Sequence, residues 1–240
     1  MTNITKLNVK IFADGADLNT IRKLATNPLI KGFTTNPTLM RNAGVEDYET
    51  FALEILSEIK DHPVSFEVLS DDLDEMAKQG HRIATWGDNV NVKIPITNTK
   101  GVLTIPIIKS LSDAGVKLNV TAIMTLDQVQ KTCAALNSDV SAIVSVFAGR
   151  IADTGMDPLP LMKECVETLS VKPKAKLLWA SPRELLNIFH AEQAGCGIIT
   201  VTPDVLGKLK YVGKDLTQFS LETVEMFYQD ALAAGYTIRT

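Results

Sequence analysis

The chain has 240 residues, 45% of them apolar and 22% charged, which is ordinary for a globular protein and excludes a disordered, collagen-like or coiled-coil chain. Its formal charge of −4 supplies no basic field, which argues against nucleic acid as a partner. No apolar run approaches the roughly 18 residues of a membrane helix, and the opening MTNITKLNVKIF lacks a basic segment followed by an apolar one, so neither a membrane span nor a secretory leader is expected.

One compact domain over residues 1–240 is the expectation for this length. The polar segment Met1–Leu7 is expected to be loose. Short β-branched or apolar runs then recur at Val9–Asp14, Gly32–Asn36, Val64–Ser70, Asn89–Ile96, Lys117–Met124, Val140–Phe147, Ala175–Ser181 and Gly197–Pro203. Between them lie stretches with helical spacing, among them Tyr48–Ile59, Asp72–Ala84, Val102–Asp113, Leu126–Leu136, Pro158–Leu169 and Arg183–Ala194. Gly32, Gly115, Gly195 and the His62-Pro63 pair read as returns from helix to strand. Leu216–Ala234 reads as one more amphipathic helix, within a helical tail over 216–240. It packs either on its own barrel or on a neighbouring subunit.

Alternating strands and helices imply a parallel sheet. Eight such units in this length predict an α/β fold: a single (β/α)8 TIM barrel with an extra C-terminal helix. No GxGxxG follows a strand, which weakens the dinucleotide-binding alternative.

Side chains alternate between the two faces of a strand. In the first strand Val9, Ile11 and Ala13 face the helices, while Lys10, Phe12 and Asp14 face the axis. Elsewhere the same parity sets Val64, Phe66 and Val68 against Ser65 and Glu67. It sets Val90, Val92 and Ile94 against Asn89, Asn91 and Lys93, and Leu118 and Val120 against Asn119 and Thr121. Ser145 shares an inward face with Phe147, and Trp179 with Ser181. Barrel interiors are usually filled with branched aliphatics. Here Asp14, Asn36, Glu67, Lys93, Asn119, Thr121 and Ser145 converge near the C-terminal strand ends, where barrel enzymes keep their active sites. Unpaired buried polar groups cost several kcal/mol each, so these residues must pair with one another, with water or with a ligand.

Three dispersed cysteines (Cys133, Cys165, Cys196) and three dispersed histidines (His62, His81, His190) form no metal-ligand spacing. Reduced structural thiols, a cytoplasmic setting and chemistry without metal or cofactor are expected. His190 reads as a packing residue. Lys10, Lys117 and Lys176 stand at strand starts, on the opposite rim, as solvated charges. Lys93 stands late in an apolar strand. Desolvation disfavours the charged form of an amine, and a neutral amine is a nucleophile that forms Schiff bases with ketones. A structural ion pair of Lys93 with Glu67 or Asp14 is the rival reading. A non-catalytic barrel and a phosphate-binding isomerase or epimerase are the rival functions.

Ile11-Phe12-Ala13-Asp14, Phe33-Thr34-Thr35-Asn36-Pro37-Thr38, Val92-Lys93-Ile94-Pro95, Asn119-Val120-Thr121, Ser145–Arg150 and Trp179–Arg183, in that order, resemble transaldolases. The resemblance is to the short, barrel-only transaldolase and fructose-6-phosphate aldolase group, over nearly the whole chain. It implies that Lys93 forms the Schiff base and that Asp14 moves the proton of the C4 hydroxyl. It implies that Glu67 and Thr121 hold the water of carbinolamine dehydration. Asn36 and Asn119 would bind the hydroxyls of a dihydroxyacetone unit, with Ser145 and Phe147 lining the pocket. Arg150, Ser181 and Arg183 would bind a sugar phosphate. Pro182 stands where the family more often has an aromatic and is expected to tilt Arg183. The aldolase subgroup carries glutamine and tyrosine where this chain has Glu67 and Phe147, so transfer is expected over simple cleavage. A role in the pentose phosphate pathway and a ring-like homo-oligomer, pentamer or decamer, are also implied.

Overall fold

The computed structural model describes residues 4–240. Ile4–Lys6 form a short 3-10 turn, and the rest of the segment expected to be loose, residues 1–3, lies outside the described residues. Eight strands follow: β1 (Lys10–Asp14), β2 (Ile30–Thr34), β3 (Val64–Glu67), β4 (Val90–Pro95), β5 (Leu118–Ile123), β6 (Ala142–Val146), β7 (Ala175–Trp179) and β8 (Ile198–Val201). All pair in parallel in sequence order, and β8 pairs back onto β1, closing a barrel. The connections hold helices α1 (Leu18–Ala25), α2 (Pro37–Asn42), α3 (Tyr48–Glu58), α4 (Leu73–Ala84), α5 (Ile105–Asp113), α6 (Leu126–Ala135), α7 (Ala148–Ala152), α8 (Pro158–Leu169) and α9 (Leu186–Ala194). The short α10 (Pro203–Leu206) and the tail helix α11 (Leu216–Ala234) complete the chain. Among the described residues no helix is long and apolar enough to cross a membrane.

Local sequence accounts for the helix starts. Asp17, Asn36, Asp47, Asp72, Thr125, Asp157 and Asp215 each accept a backbone N–H of the first turn with the side chain. Gly115 and Gly195 adopt left-handed backbone (φ 83° and 80°) at the helix-to-strand returns. Gly32 does not mark a return. It lies inside β2, and a Cβ there would come within 2.6 Å of the Phe12 ring. The β1–β2 register shifts at the same place, so the glycine makes room for an aromatic ring in the bore.

The predicted parity holds in β1, β3, β4 and the lower part of β5. Val64, Phe66, Val92, Ile94, Leu118 and Val120 are fully buried between sheet and helices. Burying one such side chain stabilises by about 1.5–3 kcal/mol. A separate apolar cluster of Phe12, Ile143, Leu178, Ala180 and Ile198, with Phe147 against it, fills part of the bore. The upper ends depart from simple alternation at two places. Ala122 is left-handed (φ 60°) where the β5–β6 register shifts, so Thr121 and Ala122 both line the cavity described below while Ile123 turns to the outer core. Trp179 packs outward beside His190, with ring centroids 6.2 Å apart. It does not share the inward face with Ser181. Ser181 reaches the bore through a left-handed backbone instead (φ 57°).

The three cysteines are buried and free. Burial pushes the Cys196 thiol up to about 12 and Cys165 to about 11, as befits inert packing thiols. Lys10, Lys117 and Lys176 are exposed at the strand starts. No residue of α11 is buried.

Candidate active site

A cavity of about 420 Å³ opens at the C-terminal ends of the strands. Every strand lends it a residue or supplies one just past its end, from Asp14 on β1 to Thr200 on β8. Asp14, Asn36, Glu67, Lys93, Asn119, Thr121, Ser145, Phe147, Arg150 and Ser181 all line it. Arg183 does not.

Strand register assembles the centre. Glu67 pairs with Lys93, and Lys93 with Asn119. Neighbours in register project on the same side, so the three form one lateral row across β3, β4 and β5. Lys93 is 7% exposed. Its Nζ lies 3.1 Å from Glu67 Oε2 and donates to the Thr35 carbonyl at 3.0 Å. The ion pair with Glu67, which the rival reading of Lys93 called for, is therefore formed, inside the cavity. Asn119 Nδ2 donates to Ser65 Oγ at 3.0 Å, and Ser145 Oγ donates to Asn119 Oδ1 at 2.7 Å. This chain of bonds fixes the Asn119 amide and orients the Ser145 hydroxyl.

Asp14 stands at the end of β1 and accepts the Thr34 hydroxyl at 2.8 Å. Thr34 in turn meets the Thr200 hydroxyl. Burial raises the Asp14 carboxyl above its ordinary range, while the Lys93 amine and the Thr34 bond pull it part of the way back. Thr34 and Thr200 are site residues that the sequence reading passed over. Thr34 shares strand parity with Asn36, a signal that was present. Asn36 itself lies past the strand, as the cap of α2: its Oδ1 accepts the Leu39 N–H at 2.9 Å, which leaves the amide NH2 for a ligand. The Thr121 hydroxyl is buried with no hydrogen-bond partner among the described residues. Such a group costs about 1–3 kcal/mol unless something bonds it.

The opposite wall is built where β6 runs into α7. The Arg150 guanidinium lies over the Phe147 ring, 5.7 Å from its centroid. The Gly149 N–H bonds the Ala180 carbonyl at 3.2 Å, and a Cβ on Gly149 would fall 1.5 Å from the Ser181 carbonyl oxygen. Only glycine permits this approach, which brings Arg150 beside Ser181. Arg183 follows the buried Pro182 and pairs outside the cavity with Asp153, through Nε at 3.0 Å and through Nη2.

The cavity thus holds a buried amine flanked by two carboxylates, the amides of Asn36 and Asn119, and the Arg150 guanidinium. Sequence comparison decides which barrel this is. The model of the transaldolase/fructose-6-phosphate aldolase family matches residues 11–238. The chain belongs to the transaldolase/fructose-6-phosphate aldolase family. Its relatives include a "probable transaldolase" of Dehalococcoides mccartyi, 35% identical over 199 residues, which span 82% of this chain and 88% of the relative. Another, from Nitrosopumilus maritimus, is 34% identical over 217 residues, 89% of this chain and 92% of the relative. Solved structures resemble the transaldolase-family barrel in fold alone. KGPDC from Streptococcus mutans superposes with a TM-score of 0.55 at 13% identity, over 83% of this chain and 89% of that one. A 2,3-dimethylmalate lyase gives 0.59 at 12%, over 97% and 86%.

Proposed function

We infer that this protein is a transaldolase that moves a dihydroxyacetone unit from a ketose phosphate, such as fructose 6-phosphate or sedoheptulose 7-phosphate, to an aldose phosphate, such as erythrose 4-phosphate or glyceraldehyde 3-phosphate. The observation that carries this reading is the Lys93 amine, buried in an apolar strand and held between a carbonyl and a carboxylate at the foot of a cavity. A lysine so held suits covalent capture of a ketone.

Lys93 Nζ adds to the C2 carbonyl, and the carbinolamine loses water with proton transfer through a water held by Glu67 and the otherwise unpartnered Thr121 hydroxyl. Asp14, whose carboxyl is raised by burial and so is a stronger base than an ordinary aspartate, takes the C4 hydroxyl proton as the C3–C4 bond breaks. The bonding electrons pass into the iminium, giving the enamine, and the aldose phosphate departs. The enamine carbon then attacks an acceptor aldehyde, Asp14 returns its proton to the new hydroxyl, and water releases the ketose from Lys93. Asn36, Asn119 and Ser145 hold the hydroxyls of the three-carbon unit. Arg150 and Ser181 hold the phosphate, since a guanidinium fork matches its oxygens. Arg183 joins them by exchanging Asp153 for the phosphate. Glu67 and Phe147 favour transfer over aldolase cleavage. The copies associate through α11 into a ring-like homo-oligomer, and the enzyme works in the cytoplasm.

Borohydride trapping tests the reading. With fructose 6-phosphate the reduced chain is expected to gain a sugar-derived mass on Lys93, and Lys93→Met to gain none and lose turnover. An unlabelled Lys93 at saturating donor would remove the Schiff-base reading. If glyceraldehyde 3-phosphate appears equally fast with and without erythrose 4-phosphate, the enzyme is an aldolase.

A further inference from the structure

In a parallel ladder each residue donates to one neighbour across the gap and accepts from the next but one. β2 and β3 follow this rule through Phe33 N–H on the Pro63 carbonyl (2.8 Å) and Thr35 N–H on the Ser65 carbonyl (3.3 Å). The next bond would run from Glu67 N–H to the Thr35 carbonyl. The one after it would run from the N–H of residue 37 to the Glu67 carbonyl. That last bond cannot form, because residue 37 is a proline, which opens α2. The bond before it is not formed either. The Thr35 carbonyl accepts Lys93 Nζ instead. Glu67 N–H donates to the Tyr48 hydroxyl at 2.6 Å, and the same hydroxyl donates to the Glu67 carbonyl at 2.8 Å. One phenol supplies both bonds that the strand end lacks.

Tyr48 is the first residue of α3, behind the Asp47 cap. Its ring meets Phe66 and Trp86 edge-on, with centroids 6.3 and 5.7 Å away, so the hydroxyl is aimed by packing. Burial pushes the phenol upward, which keeps it a donor at any working pH. It is not among the residues lining the cavity.

We propose that Tyr48 is a positioning residue: by taking the Glu67 N–H it frees the Thr35 carbonyl to hold the Lys93 amine beside the Glu67 carboxylate. The proposal rests on the reading of Lys93 as the amine that captures the sugar. Without the phenol hydroxyl, the N–H of the half-buried Glu67 is left unpaired, and the nearest repair is the ordinary ladder bond to Thr35. That repair makes the amine share the carbonyl that aligns it and pulls that carbonyl toward β3. Attack on C2 slows, while the groups that bind phosphate and hydroxyls are untouched.

Tyr48→Phe keeps the ring and tests this. The expected result is a kcat lowered by roughly 10–100-fold with KM for fructose 6-phosphate within about three-fold of the parent, and borohydride trapping on Lys93 slowed by the same factor. 4-Aminophenylalanine at position 48, which can donate and accept, is expected to restore most of the rate, and 4-fluorophenylalanine is not. Val129→Ala, on α6, opens the outer core without touching Tyr48, and is expected to lower Tm without changing kcat. A crystal structure of Tyr48→Phe should show Glu67 N–H on the Thr35 carbonyl. Tyr48→Phe turnover within about two-fold of the parent, equal rescue by the fluoro and amino analogues, or an equal kcat loss in Val129→Ala overturns the proposal. If the parent traps substrate on Lys93 and Tyr48→Phe does so just as fast, the proposal alone fails. If the parent does not trap at all, the reading of Lys93 fails first and takes the proposal with it.

Discussion

The bore of the barrel and the tail helix break the inside-outside rule in opposite directions. The bore buries Thr34, Ser65, Lys93, Asn119, Thr121, Ser145 and Thr200. The tail exposes Leu221, Val224, Phe227 and Tyr228, at three- and four-residue spacing along one face of α11. The repairs differ. In the bore nearly every buried polar group finds a partner in the same chain: Thr34 holds Asp14, Asn119 holds Ser65, and Ser145 holds Asn119. In the tail Phe219 stacks on Tyr211 and Glu222 pairs with Lys214, yet Phe227 stays 63% exposed. The bore is therefore a network complete except where a substrate enters, and the tail is an apolar face that its own chain leaves uncovered.

The largest effect is expected from removing a charge that the bore holds at a cost. Asp14→Asn should lower kcat by roughly 10²–10⁴-fold, because the C4 hydroxyl loses its proton acceptor. The same change should stabilise the fold. Burial raises the folded Asp14 carboxyl above its unfolded value. Between the ordinary value and the raised one, the folded state therefore holds a proton that the unfolded chain has released. Stability falls as pH rises through that window and is level above it. Asparagine never ionises, so Asp14→Asn should melt higher than the parent at about pH 7 and alongside it below about pH 4. Equal melting at both pH values would mean that Asp14 carries no burial cost, and unchanged kcat would remove its catalytic role.

Thr121→Val gives a smaller and sharper break. The hydroxyl has no partner among the described residues, so replacing it with a methyl of similar size should leave Tm unchanged or raised. If that hydroxyl holds the water of dehydration, kcat should fall about ten-fold, the rate equivalent of one hydrogen bond of about 1.4 kcal/mol. A drop in Tm with full activity would instead make Thr121 a structural member of the bore.

Much of the barrel was legible because its signals are periodic. Alternation by two marked the strands, and helical spacing closed by caps marked α8 and α11 at their observed bounds. The short helices α1, α2, α7 and α10 were not legible, since each is too brief to show a period. Asn36 looked like a strand residue for the same reason: the cap of α2 follows β2 almost directly. Parity carried the site through Glu67, Lys93, Asn119, Thr121 and Ser145 and failed at Trp179, which faces outward while Ser181 enters the cavity through a left-handed backbone. Left-handed backbone at a residue other than glycine has no local sequence mark. The Asp153 partner of Arg183 and the Tyr48 bonds at Glu67 depend on residues far apart in sequence. Only the folded chain brings those together.

The smallest effect on turnover is expected where the tail is altered. None of the residues lining the cavity belongs to α11. Val224→Glu with Phe227→Glu puts two like charges on the uncovered face and should break an assembly held through it. Light scattering is expected to give a multiple of the chain mass for the parent and the single-chain mass for the double variant, with kcat per chain within about two-fold. A parent already of single-chain mass would mean that α11 is bare in solution. A variant that dissociates and also loses turnover would mean that the bore, complete in its own hydrogen bonds, still needs a neighbour to hold its shape.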